Sequence, residues 1–454
     1  MEVAAKHRRS FHGPSCMASH LRTRASAPAH PRTSTLAPPH NAPSHPPVYF
    51  PFLPRSLLVL LKSASDVVGK LAVFGVLALA ARALPLETFA WLSIGQTFGW
   101  MLSVATDFGL QMHLAREVAR DPAHAGRAVW PLLTRRLQLF AGGLAVALVT
   151  AFVWLPSPLA LAFAGVAVGY LLSSIVEFLN YAFRALNRSD IESMLNAAQR
   201  LATLAMAWAL LRVAPSFASV ALAMVVPPIV AGLVSVAMLS RMAPRDAAMP
   251  APLPWAPLIR RVAPIGIGVL LSALYFRVDI FLLQRWAPAE DVAQYGAVFR
   301  LIDALRLFPA ALLAVALPAM FRGRDTRFLI KLSVGLTVFG MVASVVLDRA
   351  APFIVPLAFG DAYVPAVSLF RILLIAFPLL ALNYGLTTQL IGWNGQSAFA
   401  VINATGLIAN VAMNLYLIPR IGAAGAAWST VGTELLLTFA CGLALPIYAQ
   451  RELK

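Results

Sequence analysis

The chain has 454 residues, 59% of them hydrophobic and only 12% charged, and its mean hydropathy is +0.76. A soluble protein of this length needs far more polar surface, so a bilayer must solvate much of it. The formal charge of +17 is not a nucleic-acid footprint, because no basic stripe alternates with aromatics on a polar domain. Two cysteines, Cys16 and Cys441, form neither a disulfide framework nor a metal-ligand spacing.

Residues 1–56 read as a disordered, basic, proline-rich tail, with seven Lys/Arg against the single acid Glu2. No apolar run precedes residue 47, which excludes a secretory signal. The Arg-rich, acid-poor composition resembles an organellar transit peptide, but seven prolines from Pro28 to Pro47 oppose an amphipathic helix. A start assigned too far upstream, with translation beginning at Met17 or later, is the other reading. Six of the eight histidines lie here, scattered among prolines, and no function is assigned to the tail.

Apolar runs long enough to span a bilayer then recur almost without pause. They are apolar on every face, as at Leu159–Leu172 and Leu329–Leu347, which predicts helices rather than barrel strands. Twelve spans are expected, at 57–82, 88–110, 132–155, 158–182, 193–212, 216–240, 258–285, 291–319, 328–348, 364–390, 396–418 and 423–447. With a cytoplasmic N-terminus, the loops after even-numbered spans should be rich in Lys/Arg. The segments holding Arg116 to Arg136, Arg184 to Arg200, Arg241 to Arg261, Arg322 to Lys331, and Arg451 with Lys454 carry eighteen such residues. The opposite side carries five: Arg82, Arg212, Arg285, Arg349 and Arg420. Both termini are therefore expected on the cytoplasmic side of a bacterial inner membrane. The longest outer connection is expected at Leu347–Pro365.

A weak internal repeat divides the chain. Arg82, Pro85, Glu87 and Ala90 recur as Arg285, Pro288, Glu290 and Ala293, and Leu186-Asn187 through Asn196-Ala197 corresponds to Trp393-Asn394 through Asn403-Ala404. The expected fold class is an all-α integral membrane protein of about twelve spans, in two six-helix lobes around a central cavity. The lobes cover 57–241 and 258–447. A cytoplasmic linker at 242–257 holds Pro244, Pro250, Pro252, Pro254 and Pro257, and a short cytoplasmic tail follows at 448–454.

Ionisable side chains at bilayer depth cost about 2.5–3.5 kcal/mol each, so they mark cavities or pathways. The clearest set is Arg277 and Asp279 on span 7 with Arg300, Asp303 and Arg306 on span 8, the last three stepping along one helical stripe. Local pairing is the structural reading of the acids, but two carboxylates cannot neutralise three arginines. A surplus guanidinium in a wet cavity suits an anion, above all a diphosphate gripped bidentately. Asp66 and Lys70, one turn apart on span 1, either satisfy each other or serve the same cavity, and Arg371 on span 10 is a further candidate. Asp107 and Glu177 read as groups in headgroup water. No phosphate-binding loop, zinc helix or nucleophile elbow is present, so neither an enzyme nor a cofactor is expected. Energy would come from a proton or sodium gradient or from substrate flux.

Three blocks carry a family resemblance. The first runs from Tyr275-Phe-Arg277-Val-Asp279 through Glu290 and Tyr295 to Phe299-Arg300-Leu-Ile-Asp303, closing at Pro309 and Pro318. The second is Ala358-Phe-Gly360-Asp-Ala-Tyr363, before Arg371. The third runs from Asn410 and Asn414 through Pro419 and Gly422 to Gly425. With Asp107-Phe-Gly109-Leu and the Arg82 to Phe89 segment, the chain from 57 to 447 resembles the oligosaccharide flippases of polysaccharide biosynthesis. These are the Wzx-type branch of the multidrug/oligosaccharidyl-lipid/polysaccharide exporter superfamily. Ala90 and Gln294 depart from glycines usual in that family.

The resemblance implies two lobes around a cationic cavity that opens alternately to each leaflet. The cargo it implies is a polyprenyl-diphosphate-linked oligosaccharide for O-antigen, capsule or exopolysaccharide, with polymerase and glycosyltransferases as partners beside the bilayer itself. By analogy Arg277, Arg300 and Arg306, joined by Lys70 and Arg371, would bind the anion. Asp279, Asp303 and Asp66 would orient them or carry a coupling ion. Three alternatives are a multidrug exporter, which would want an acidic cavity, a lipid II flippase, which usually has two further C-terminal helices, and a membrane glycosyltransferase or polymerase, which would want catalytic acids on a sizeable outer loop.

Overall fold

In lipid, a backbone with no water to bond must satisfy itself, and a helix does so without leaving an edge. The computed structural model describes residues 55–245, 251–322, 326–393 and 395–450, and its regular elements among these are all helical. The first half comprises α1 (Arg55–Ala83), α2 (Leu86–Asp107), α3 (Leu110–Arg120), α4 (Gly126–Trp154), α5 (Ser157–Ala185), α6 (Ser189–Val213) and α7 (Phe217–Met242). The second comprises α8 (Trp255–Trp286), α9 (Ala289–Leu305), α10 (Leu307–Arg322), α11 (Thr326–Phe359), α12 (Ala366–Gly392), α13 (Gln396–Ile421) and α14 (Ala423–Gln450). The tail reading for residues 1–54, linker residues 246–250, Asn394, and the side chains of Arg322, Arg324, Arg451 and Lys454 lie outside the described residues.

Fourteen helices make twelve crossings because each half contains a broken one. After α2 the chain turns through Phe108 (φ 43°) and Gly109 (φ 83°) into the amphipathic α3. Left-handed backbone costs a non-glycine residue about 1–2 kcal/mol, so the elbow at Phe108 is held against strain. Between α9 and α10 the cause is Pro309, which has no N–H to offer the Leu305 carbonyl four residues back. Helix starts follow local chemistry: α2, α5, α8 and α9 each begin directly after a proline at the N-cap, Pro85, Pro156, Pro254 and Pro288. Glu87 and Glu290 occupy the first turns of α2 and α9, where the helix dipole favours an acid.

The same pairs of helices touch in both halves. α1 packs on α6 as α8 does on α13, and α5 on α7 as α12 on α14. Likewise α2 meets α5 as α9 meets α12, and α4 meets α5 as α11 meets α12. This is the two-lobed, twelve-crossing arrangement expected from the sequence. The lobes meet along a seam where α2 packs on α8 and α9, and α1 on α9 and α11.

At one end of the seam the α2–α3 elbow sits against α8: a Cβ on Gly266 would come 2.6 Å from the Phe108 carbonyl oxygen. The same end carries the interlobe connection, which is strapped to α4. Trp130 Nε1 donates to the Ala243 carbonyl (2.8 Å), and Arg135 donates to the carbonyls of Leu253 (2.7 Å) and Pro252 (3.3 Å). We call this the linker end. At the far end Arg82, last turn of α1, donates to the carbonyls of Pro356, Leu357 and Ala358 at the C-terminus of α11. That cation clasps one lobe to the other at a negative helix end. The outer connection expected at Leu347–Pro365 is much shorter than that: α11 runs on through Pro352 and Pro356 to Phe359, leaving only Gly360 to Pro365.

Among the described residues, nine helices are long and apolar enough to cross a membrane by length and composition. The crossings outside that set are α2, α6 and α9–α10. They carry inward polar side chains: Gln96 and Thr97 on α2, Glu192 and Gln199 on α6, and Arg300 and Asp303 on α9.

Candidate functional site

Two of the polar crossings, α2 and α9, meet at the seam. Arg277, on α8, is buried and pairs through Nη2 with Asp303 of α9. Arg300 lies one turn before Asp303 and approaches the same carboxylate (Nη1–Oδ2 3.6 Å), and Arg306, one turn after, approaches its other oxygen (3.6 Å). Three guanidiniums therefore share one carboxylate, which is itself 28% exposed and so reachable from the space between the lobes. Asp303 and Arg306 sit at the C-terminal end of α9, where the dipole favours the cation.

Aromatic faces fix the guanidinium planes. Arg277 lies over Phe299 (4.7 Å to the ring centre), and Arg306 lies between Phe276 (4.0 Å) and Tyr384 (5.5 Å). Arg306 Nε is buried with no hydrogen-bond partner. Arg300 reaches across the seam to donate to Gln96 Oε1 of α2 (3.3 Å), tying the cluster to the other lobe.

The remaining candidates divide. Asp279 does not join the arginines: it is buried and accepts from the Tyr295 hydroxyl and from the Ile280 backbone N–H (2.9 Å). Asp66 does not pair with Lys70. It binds Lys62 one turn earlier (2.7 Å), which also bridges to Glu192 of α6 (3.0 Å). Lys70 is thereby left with no ion pair among the described residues; it is exposed to the interlobe space and feels the charges of Asp303 and Arg306. Arg371 is not brought to the cluster. It pairs with Asp348 of α11 (3.3 Å), and both side chains are well exposed.

Two further corrections concern charges near the linker end. Asp107 is buried rather than in headgroup water, with Arg136 of α4 beside it (Nε–Oδ1 3.8 Å). Arg136, counted from sequence as a loop charge, is fully buried and donates to the Thr106 carbonyl (3.0 Å) and Ser174 Oγ (2.6 Å). It anchors the end of α2 just before the elbow.

Sequence reasoning missed Glu434 on α14. It is 2% exposed and accepts from the Tyr275 hydroxyl (2.6 Å) and Asn383 Nδ2 (2.7 Å). The available signal was a lone acid inside an otherwise apolar span, the default mark of a functional or network position.

A large apolar groove of about 1060 Å3 lies between the lobes on the outer side of α1, lined by Phe74, Leu204, Trp208, Leu301 and Leu357. Its walls include exposed apolar side chains, and Leu301 directly follows Arg300 in sequence. Cationic cluster and apolar groove thus share α9.

Among the described residues the protein is thus an all-helical, two-lobed membrane fold with twelve crossings and a polar seam. Solved structures with this fold include an inward-facing multidrug resistance MATE family transporter of the MOP superfamily. It is 13% identical, has a TM-score of 0.65, and the match covers 84% of this chain and 94% of that one. A Vibrio cholerae MATE transporter, VcmN, is 13% identical with a TM-score of 0.60, covering 87% and 97%. The lipid II flippase MurJ in an inward closed conformation is 10% identical with a TM-score of 0.56, covering 86% and 87%. Among curated proteins none matches the chain in sequence.

The family model described as "Polysaccharide biosynthesis protein" matches residues 59–324, more than half of the chain. The protein belongs to that family and is a multi-pass membrane protein.

Proposed function

We propose that the protein is a flippase that moves a polyprenyl-diphosphate-linked oligosaccharide across the bacterial inner membrane by alternating access. The observation that carries this reading is the trio Arg277, Arg300 and Arg306 sharing the single carboxylate of Asp303, next to an apolar groove. Two guanidinium charges in excess, in a low-dielectric seam, create a demand for an anion that a diphosphate meets with paired oxygens. The groove offers a polyprenyl chain a route along the lobe interface while the headgroup stays inside. An acidic cavity suited to cationic drugs would require the opposite balance.

Lys70, facing the cluster from α1, would contact the anion as it enters. Arg371 has no such role, because its partner is Asp348 on the neighbouring helix. The excess of basic residues at the linker end orients that end to the cytoplasm, with both termini there. Polymerase and glycosyltransferases are the partners such a pathway would supply. Asp279, tied to Tyr295, is the acid best isolated from the arginines and the candidate for carrying a coupling proton or sodium ion.

The test is complementation of a flippase-deficient strain by the chain lacking residues 1–47. Restored surface polysaccharide is expected; lipid-linked sugar accumulating on the cytoplasmic leaflet despite expression would sink the reading. Arg277→Gln combined with Arg300→Gln should abolish export, and full-rate export by that double variant would refute the anion cluster.

A further inference from the structure

We propose that the pocket between α1, α5 and α6 at the linker end is the subsite that reads the sugar attached to the diphosphate. This rests on the flippase reading above and places glycan recognition in the first lobe, opposite the arginine cluster of the second. The pocket has a volume of about 250 Å3. That is roughly eight water volumes, the size of one sugar ring rather than of a chain.

Four of its charged side chains are already matched. Lys62 bridges Asp66 (2.7 Å) and Glu192 (3.0 Å), and Arg184 also binds Glu192. These pairs hold α1, α5 and α6 together and ask nothing of a ligand. What remains facing the space is two cations, Lys70 and Arg200, with Ser173, Glu177, Asn180, Asn196 and Gln199. Asn180 is decisive. It is 6% exposed, it lines the pocket, and among the described residues its Oδ1 has no hydrogen-bond partner. A buried acceptor left empty costs about 1–3 kcal/mol, so it implies a donor that arrives with the ligand. Gln199 is held in place by its bond to Ser173 Oγ (3.0 Å).

Lys70 and Arg200 supply donors, while Glu177 and Asn180 Oδ1 supply acceptors that a phosphate, whose oxygens only accept, leaves unused. Sugar hydroxyls both donate and accept, and they fit this mixed set. The distance to the diphosphate site is short. Ser173 and Arg200 also line a smaller cavity with Tyr170 and Gln96, and Gln96 is the residue that accepts from Arg300. A single substrate would then bridge the lobes, with its tail in the groove, its diphosphate on α8–α9 and its first sugar on α5–α6.

Binding to the purified full chain in nanodiscs tests this, with four probes: undecaprenyl diphosphate bare, and carrying one N-acetylglucosamine, one galactose or one glucuronate. At least one glycosylated probe is expected to bind about tenfold tighter than the bare lipid, an increment of the size a few good hydrogen bonds supply. Asn180→Leu should erase that increment and leave affinity for the bare lipid unchanged. Gln199→Ala and the exposed Glu177→Gln should each reduce it, so the test survives if Asn180→Leu does not fold. Arg300→Gln should weaken all four probes alike. Glycosylated probes binding no tighter than bare lipid, or an increment untouched by all three pocket variants, overturns the sugar subsite alone. Failure of every lipid to bind, or indifference to Arg300→Gln, overturns the flippase reading with it.

Discussion

The two lobes share one pattern of helix contacts and use it for opposite chemistry. In the second lobe a polar network around Glu434 is sealed inside and pairs within itself. Glu434 takes Tyr275 and Asn383, Thr438 donates to Asn383 Oδ1 (2.9 Å), and Asn410 donates to Thr433 Oγ1 (3.1 Å). The space left beside them is only about 20 Å3. In the first lobe the corresponding helices keep their charges at the linker-end rim and leave an open polar pocket. One framework thus serves as a rigid anchor for cations on one side and as a receptive surface on the other. Duplicated folds diverge most cheaply at buried polar positions, because each such group must find a partner locally or be given one by a ligand.

That contrast can be broken in stages. The largest expected effect is Asp303→Asn, which leaves three mostly buried guanidiniums without their carboxylate and should destabilise the protein by about 3 kcal/mol. In the first lobe Asp66→Asn removes only one arm of a rim network, since Lys62 keeps Glu192, and should cost no more than about 1 kcal/mol. Thermal unfolding of the purified variants in detergent measures both, and equal losses would erase the distinction between anchor and rim.

Next in size is Glu434→Leu, which strands the Tyr275 hydroxyl and the Asn383 amide and should cost about 2–3 kcal/mol, with Glu434→Gln recovering most of it. In the other lobe Glu177→Gln, at an exposed position, should change ligand-free stability by no more than about 0.5 kcal/mol.

The seam itself is tested by two glycines on one helix. Gly266→Ala forces a methyl to within 2.6 Å of the Phe108 carbonyl and should cost about 1–3 kcal/mol. Gly268→Ala meets nothing within 4 Å and should be neutral or stabilising by about 0.4–1 kcal/mol. If the two behave alike in the melting assay, the elbow does not bear on α8.

The smallest effect lies in the α5–α6 connection, ahead of the crossing part of α6. Arg188 donates to Asp190 (2.8 Å) and holds its carboxyl below the ordinary carboxylate range. A depressed folded-state value means stability that is present above the unfolded value and lost as pH falls through the folded one. Asp190→Asn should therefore cost well under about 1 kcal/mol at neutral pH and nothing in strong acid, read from paired melts across that range.

Much of this was legible in the sequence because lipid imposes a simple code. Uniformly apolar runs can only be helices, and the prolines that start α2 and α9 stand at matching places in the repeat. The meeting of Arg277 with Arg300, Asp303 and Arg306 followed from equal depth on neighbouring helices. What sequence could not resolve was direction around a helix. Asp66 had a lysine one turn away on either side and took Lys62, because Glu192 of α6 draws that lysine inward. Arg136 looked like one more loop charge, although three polar groups on α2 and α5 lie buried around it. Arg371 sits at a plausible depth, but its position on α12 gives it Asp348 first. Glu434 was overlooked because its partners lie on helices remote in sequence.

The crossings that are least apolar, α2, α6 and α9–α10, bear on how the chain is made. A segment carrying Arg300, Asp303 and Arg306 enters a bilayer poorly alone, since each such charge costs about 2.5–3.5 kcal/mol at mid-depth. Each of these segments, however, is preceded in the chain by a strongly apolar one: α1, α5 and α8. An apolar helix that has already entered, and that offers contact along its length, lowers the barrier for the polar one that follows. Synthesis would then proceed by helical pairs, with the polar helices entering beside the ones that most help them to be in the membrane at all.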